Sequence, residues 1–160
     1  MAIIISGTPG TGKTTLAMKL AKSLKYKRLD VKRLITSNKL SEGYDKKRKC
    51  HIIDVKKLNK IIIKHLEKNN KRIIDSHLSH YLPPKYADVC IITICNLKEL
   101  QKRLKKRRYN KEKIKENLDC EIFEVCKEEA RENKHNCIIV DTSKPFSIRK
   151  LTKKVRRKLK

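Results

Sequence analysis

The stretch Ile3 to Thr15 reads Ile-Ile-Ile-Ser-Gly-Thr-Pro-Gly-Thr-Gly-Lys-Thr-Thr. Within it Gly7, Gly12, Lys13 and Thr14 satisfy the spacing G-x-x-x-x-G-K-[ST], and each residue type has a physical task there. The glycines let the backbone turn tightly, with its N–H groups facing inward around a polyphosphate. The Lys13 ammonium is a point charge for the β and γ phosphates, and the Thr14 hydroxyl is a hard oxygen that suits Mg²⁺. An apolar run precedes the loop and a helical pattern follows it, so the positive end of a helix dipole adds to the site. Motif and context together point to a bound nucleotide rather than to a glycine-rich turn without a ligand.

Two further stretches can do chemistry. Arg72-Ile73-Ile74-Asp75 is a buried-strand pattern ending in a carboxylate. A carboxylate at such a strand end holds Mg²⁺ in phosphate-loop proteins, usually through water, so Asp75 is the candidate partner of Thr14. The plainer role is a cap of the following turn. His77, two residues on, can orient water or a phosphoryl acceptor. His77 and His80 are three apart, but no third ligand accompanies them in a zinc pattern. The second stretch is Lys105-Lys106-Arg107-Arg108, whose positive charge suits a transferring phosphoryl group if it lies on a lid. A solvated charge run or an RNA-binding patch is the competing reading.

These residues need elements to position them. Leu16, Leu20 and Leu24 recur at helical spacing, which predicts a first helix over 13–24. Tyr26 to Leu29 is a short strand, and Asp30 caps a helix over 31–37. The polar segment 37–50, with Gly43, reads as a loop or mobile flap. Asp54 caps a helix carrying Val55, Leu58, Ile62 and Leu66, which Asn69-Asn70 ends. Residues 76–84 form an irregular loop, and 88–95 a near-continuous apolar strand. Asn96 caps a helix over 97–106. A long helix follows the basic turn, with Ile114, Leu118, Ile122, Val125 and Ala130 on one face. Cys137 to Val140 is the last strand, and Pro145 opens a basic terminal helix. Strands and helices alternate, and the strands are apolar on both faces. This predicts an α/β fold, a three-layer sandwich around a parallel five-stranded sheet, with the phosphate site at the carboxyl edge of the strands.

Composition sets bounds. The 160 residues suffice for one domain with a core. No run approaches the roughly 20 apolar residues of a membrane span, and Ile3-Ile4-Ile5 is too short for a signal peptide, so the expectation is a soluble, cytoplasmic protein. Cys50, Cys90, Cys95, Cys120, Cys126 and Cys137 show neither C-x-x-C nor zinc spacing and read as thiols in a reducing compartment. The net charge of +26 attracts polyanions such as nucleotides, RNA or ribosomal surfaces, although a lysine-rich proteome or a hot habitat has the same signature. Few aromatic residues argue against a base-stacking platform.

The motifs also occur in a telling order. Gly7 to Thr15 is followed by Glu42-Gly43-Tyr44-Asp45, then Asp75-Ser76-His77, then Arg103-Leu104 with Arg107, Tyr109-Asn110 and Cys120-Glu121-Ile122-Phe123-Glu124-Val125. In this series the chain resembles the adenylate kinase isoenzyme 6 family, which includes archaeal and eukaryotic nuclear members. The likeness spans essentially the whole chain and is most specific from Arg103 to Val125. It implies a nucleoside monophosphate kinase fold in one domain, 1–160, with a monophosphate-binding flap near 30–53 and a short lid near 106–116. It implies ATP plus AMP giving two ADP with Mg²⁺, together with ATPase activity. On this chain Gly10, Gly12, Lys13, Thr14 and Thr15 would bind ATP, with Arg107 as the lid arginine. The catalytic group would be Lys13, Asp75, His77 and Arg107, and the metal group Thr14 and Asp75. No side-chain base is obligatory, because an acceptor phosphate is already ionised. Family members usually have glycine after the lid arginine, where this chain has Arg108. The resemblance further implies a link to small ribosomal subunit maturation, with a ribosomal protein as partner and pre-ribosomal RNA nearby. A kinase for another small acceptor, a nucleoside or a shikimate-like alcohol, is a third reading in which Asp75 would be a base.

Overall fold

The apolar run at the amino end becomes β1 (Ala2–Ser6), buried along its whole length in the computed structural model, which describes residues 1–46, 50–69 and 71–159. Ile3 and Ile5 join one core with Leu16, Ala17 and Leu20 of α1 (Lys13–Leu24) and Leu151 and Val155 of α7 (Ile148–Lys158). Ile4 joins the opposite core with Leu58, Ile62 and Leu66 of α3 (Val55–Lys68) and Ala130 of α6 (Val125–Glu132). Alternate residues of a strand point to opposite faces, so an unbroken apolar strand requires cover on both sides. The sheet is parallel and runs β2 (Lys27–Leu29), β5 (Arg72–Asp75), β1, β6 (Val89–Ile94), β7 (Cys137–Asp141). This is the predicted three-layer α/β sandwich with five parallel strands.

Side-chain caps fix the helix starts. Asp30 accepts from the Arg33 amide at the head of α2 (Val31–Ser37), Asp54 from Lys57 at α3, and Asn96 from Lys98 and Glu99 at α4 (Leu97–Lys106). Such a cap contributes roughly 1 kcal/mol each. Asn69 follows the last turn of α3, and Asn70 lies outside the described residues.

Three expectations change. The segment read as a loop over 37–50 carries an antiparallel hairpin, β3 (Ser41–Asp45) and β4 (Cys50–Ile53), with a register shift between Ser41 and Gly43. β3 is polar, β4 is only four residues long, and the register shift between them hides the alternation that marks a strand. The single long helix after the basic turn is two helices, α5 (Lys111–Ile122) and α6, because Glu124 turns left-handed at φ 50°. The break lets Ile114 pack with Leu100 and Leu104 while Ala130 reaches the central core. It also leaves Ile122 and Phe123 exposed, Phe123 at 72%. The terminal helix starts at Ile148 under a Ser147 cap rather than at Pro145.

Cys90 and Cys95 are buried, and Cys120, Cys126 and Cys137 are half-buried; among the described residues none forms a disulfide. The side chain of Cys50 lies outside the described residues. Among the described residues no helix is long and apolar enough to cross a membrane.

Candidate active site

The phosphate-loop residues connect β1 to α1. Gly7 has φ 138°, and a Cβ there would lie 2.4 Å from the Thr93 carbonyl oxygen, so no side chain fits. Gly12 is left-handed at φ 85° and heads α1, a conformation glycine adopts without steric cost. The Thr11 hydroxyl donates to the Thr8 carbonyl and meets the Thr93 hydroxyl at 2.6 Å, tying the loop to β6.

Lys13 lies in the first turn of α1. Its Nζ donates to the carbonyl oxygens of Gly7, at 2.6 Å, and Thr8, at 2.8 Å. Burial, with the charge of Arg107 adding to it, pushes its pKa down to about 8. The next residue, Thr14, donates from Oγ1 to Asp75 Oδ2 at 2.7 Å. That contact follows from the sheet, because β5 pairs with β1 and sets Asp75 opposite Ile5. A hydroxyl and a carboxylate beside a phosphate loop are the hard oxygen donors that suit Mg²⁺, which keeps several of its waters. The residues present therefore fit that ion.

Asp75 has a second neighbour that sequence patterns did not single out. Arg28 on β2 places Nε 2.5 Å from Oδ1 and Nη2 3.4 Å from Oδ2. The strand order brings it there, since β2 adjoins β5 in the sheet, and no local pattern announces that order.

His77 stands on the cleft floor two residues past Asp75. Crowding by the cleft walls and then the charge of Lys13 push its pKa down. The side chain stays open to solvent on one side; burial against the cleft wall and the charge of Lys13 both disfavour the imidazolium, so the imidazole is neutral near pH 7. His80 diverges from His77. Its Nδ1 meets Ser6 Oγ at 2.6 Å and its Nε2 meets Glu129 Oε2 at 2.8 Å, while Tyr81 donates to the other Glu129 oxygen. Both ring nitrogens are thus engaged, and the zinc pairing at spacing three does not form. This network anchors the residue just before Gly7 to α6, and no local pattern announces it.

Three cavities border the loop, one of them against Gly7 and Thr8, and the other two share residues with each other. Of these two, the first, of about 500 Å³, is lined by Gly10, Gly12, Thr15, Lys19, Arg103, Arg107 and Phe146. The other, of about 660 Å³, is lined by Lys13, Thr14, Asp75, His77, Val31, Lys32, Ile35, Tyr109 and Asn117. Gly10, Gly12 and Arg107 belong to both. Gly10, Gly12, Lys13, Thr14, Thr15, Asp75, His77 and Arg107 thus stand on one wall or the other, whereas Gly7, His80, Lys105 and Arg108 line neither cavity. From the segment 30–53 it is α2 that faces the larger cavity; the hairpin strands contribute Ser41 and His51 to a separate recess. Arg103 spans from Glu99 to the Thr142 side chain and carbonyl, and the Thr142 hydroxyl donates to the Thr11 carbonyl. The helix that carries the basic turn is thereby pinned to the phosphate loop.

A phosphate loop on an enclosed parallel sheet, opening on two cavities, defines the class of P-loop kinases. Among solved structures, shikimate kinase from Acinetobacter baumannii superimposes with a TM-score of 0.65 at 13% identity, covering 99% of this chain and 92% of that one, a likeness of fold. A family profile described as an AAA domain matches residues 3–124. The adenylate kinase isoenzyme 6 homolog of Dictyostelium discoideum is 35% identical over 143 residues, 87% of this chain and 79% of that protein. A putative adenylate kinase of Methanocaldococcus jannaschii is 39% identical over 126 residues, 79% of this chain and 70% of that protein. The chain belongs to the adenylate kinase isoenzyme 6 family, and with it to the nucleoside monophosphate kinases.

Proposed function

We propose that the protein transfers the γ-phosphoryl group of ATP to AMP, giving two ADP. The observation that carries this is the pair of cavities meeting at Gly10, Gly12 and Arg107. A donor nucleotide in the smaller cavity and an acceptor in the larger would face each other across Gly10, Gly12 and Arg107. The loop amides and Lys13 stabilise the β and γ phosphates. Arg107, on the shared wall, neutralises charge that develops on the transferring group. Val31 and Ile35 offer apolar contact to an acceptor base, and Lys32 offers charge to its phosphate. Neutral His77 donates or accepts a hydrogen bond without adding repulsion toward Lys13. Thr14 and Asp75 would hold Mg²⁺, which when bound neutralises β- and γ-phosphate oxygens. In this reading α2 and the hairpin form the acceptor flap near 30–53, and the Arg107–Asn110 turn with the start of α5 forms the lid near 106–116. Their closure would suppress hydrolysis.

The test follows ADP with ATP alone, then with AMP, dAMP, CMP and shikimate as acceptors. AMP-dependent production of two ADP supports the reading. Production of ADP with shikimate alone would replace it with the alcohol-kinase reading.

One observation favours a second role, an ATPase assembly factor working with a basic ribosomal protein near pre-ribosomal RNA. Close to half of the chain's 17 acidic residues fall between 112 and 132, in a protein of net charge +26. The bend between α5 and α6 exposes Ile122 and Phe123 among them. An apolar tip with acidic flanks suits a Lys/Arg-rich partner. Stimulation of ATP hydrolysis by such a partner in the absence of AMP is the supporting result; hydrolysis unaffected by it removes this role.

A further inference from the structure

β2 is an edge strand, and its pairing of Leu29 with Ile74 brings Arg28 to the carboxyl end of β5. There the guanidinium takes both oxygens of Asp75, while Thr14 shares Oδ2. The Asp75 side chain is 3% exposed and that of Arg28 is 29% exposed. A carboxylate this far from water needs a resident cation, and a guanidinium does not lose its charge. Lys13 acts on the carboxylate only at a distance, since its ammonium donates to the loop carbonyls of Gly7 and Thr8. The sheet does not require the pair either, because main-chain hydrogen bonds join β2 to β5. Any divalent ion that uses Asp75, directly or through water, meets a positive charge already on both carboxylate oxygens. Two like charges at such separations repel strongly where water is scarce.

We propose that Arg28 is a positioning residue that governs metal use: it holds Asp75 against Thr14 and weakens the carboxylate's grip on a divalent ion, so that the ion arrives with the nucleotide rather than ahead of it. This inference rests on the reading of the site as a phosphoryl-transfer centre for MgATP. It distinguishes Arg28 from the cations on the phosphates: Lys13 and Arg107 would draw nucleotide in, whereas Arg28 sets how much the metal adds.

The experiment measures the dissociation constant of a non-hydrolysable ATP analogue with Mg²⁺ and with EDTA, in wild type, Arg28→Met, Arg28→Lys, Asp75→Asn and the Arg28→Met/Asp75→Asn double variant. The constant in EDTA divided by the constant in Mg²⁺ reads the coupling between metal and nucleotide. In Arg28→Met that ratio rises about tenfold, equivalent to about 1.4 kcal/mol. In Arg28→Lys it rises less, because the charge stays while the fork is lost. With Asp75→Asn in place, Arg28→Met changes the ratio no further. An unchanged or smaller ratio in Arg28→Met, with or without a lowered melting temperature, overturns the proposal and leaves Arg28 a structural partner. If Arg28→Met does not fold, Arg28→Lys carries the same comparison. Failure of the wild-type protein to bind the analogue under either condition is a different result, and it sinks the phosphoryl-transfer reading itself.

Discussion

Lys13 carries the sharpest test at the scale of single residues. Lys13→Ala removes a cation from the wall of the larger cavity and should lower ADP formation by at least about 100-fold, the range lost with one transition-state contact. Circular dichroism should be unchanged, since Lys13 bonds loop carbonyls rather than core groups. A near-normal rate would refute the site. Its proton gives a second test. The pKa is about 8 in the folded protein against 10.5 for an ordinary lysine. The folded state therefore binds fewer protons than the unfolded chain across that window, and this group adds to stability as pH rises through it. Nucleotide binding runs the opposite way, because phosphate oxygens need the charged ammonium. Affinity for the ATP analogue should fall above about pH 8, by up to about tenfold per pH unit. A flat profile in calorimetry would count against the assignment. The motif residues Lys13 and Thr14 were legible because their spacing is local, and Asp75 because a strand pattern ends on it. Arg28 and the Ser6–His80–Glu129 network were not, since their partners lie 47, 74 and 49 residues away in the chain.

Among the elements, the turn between α4 and α5 explains why a glycine suits the position after Arg107. Arg108 is left-handed at φ 57°, which costs a residue with a side chain roughly 1–2 kcal/mol. Arg108→Gly relieves that strain but loosens the unfolded chain by roughly 0.5–1 kcal/mol. The expected net gain is up to about 1.5 kcal/mol, a rise of up to roughly 3–6 °C in melting temperature. A clear drop would mean that the Arg108 side chain makes a stabilising contact. The Ser6–His80–Glu129 network offers the converse case. Ser6→Ala leaves a buried His80 nitrogen without its partner and should cost roughly 1–3 kcal/mol in urea denaturation. Helix starts were legible in Asp30, Asp54 and Asn96, whose side chains compete for the first free amides. The hairpin and the α5–α6 break were not. The first pairs a polar strand with a four-residue one, and the second follows from Ile114 and Ala130 packing into different parts of the core.

For the whole molecule, order and charge dominate. The alternation of apolar strands with amphipathic helices is enough to predict a covered parallel sheet, but not its strand order, which decides that Arg28 meets Asp75. The charge of +26 acts on everything at once. Self-repulsion opposes the compact state, and salt screens it over about 10 Å at 0.1 M. Melting temperature should therefore rise with added NaCl, while the association rate of an ATP analogue falls. A melting temperature independent of salt would show that the charges are already compensated by their spacing.

The segment after Asp75 looks irregular in sequence, yet it is fastened at several points. The Ser76 amide donates to Ile5, the Ser79 hydroxyl to Ile5 and Ser76, and the amides of Ser79, Tyr81 and Leu82 to carbonyls within the segment. In deuterium-exchange terms it should count as core, with protection close to that of β1 itself. The floor under His77 would then stay fixed through catalytic cycling while the walls around it move.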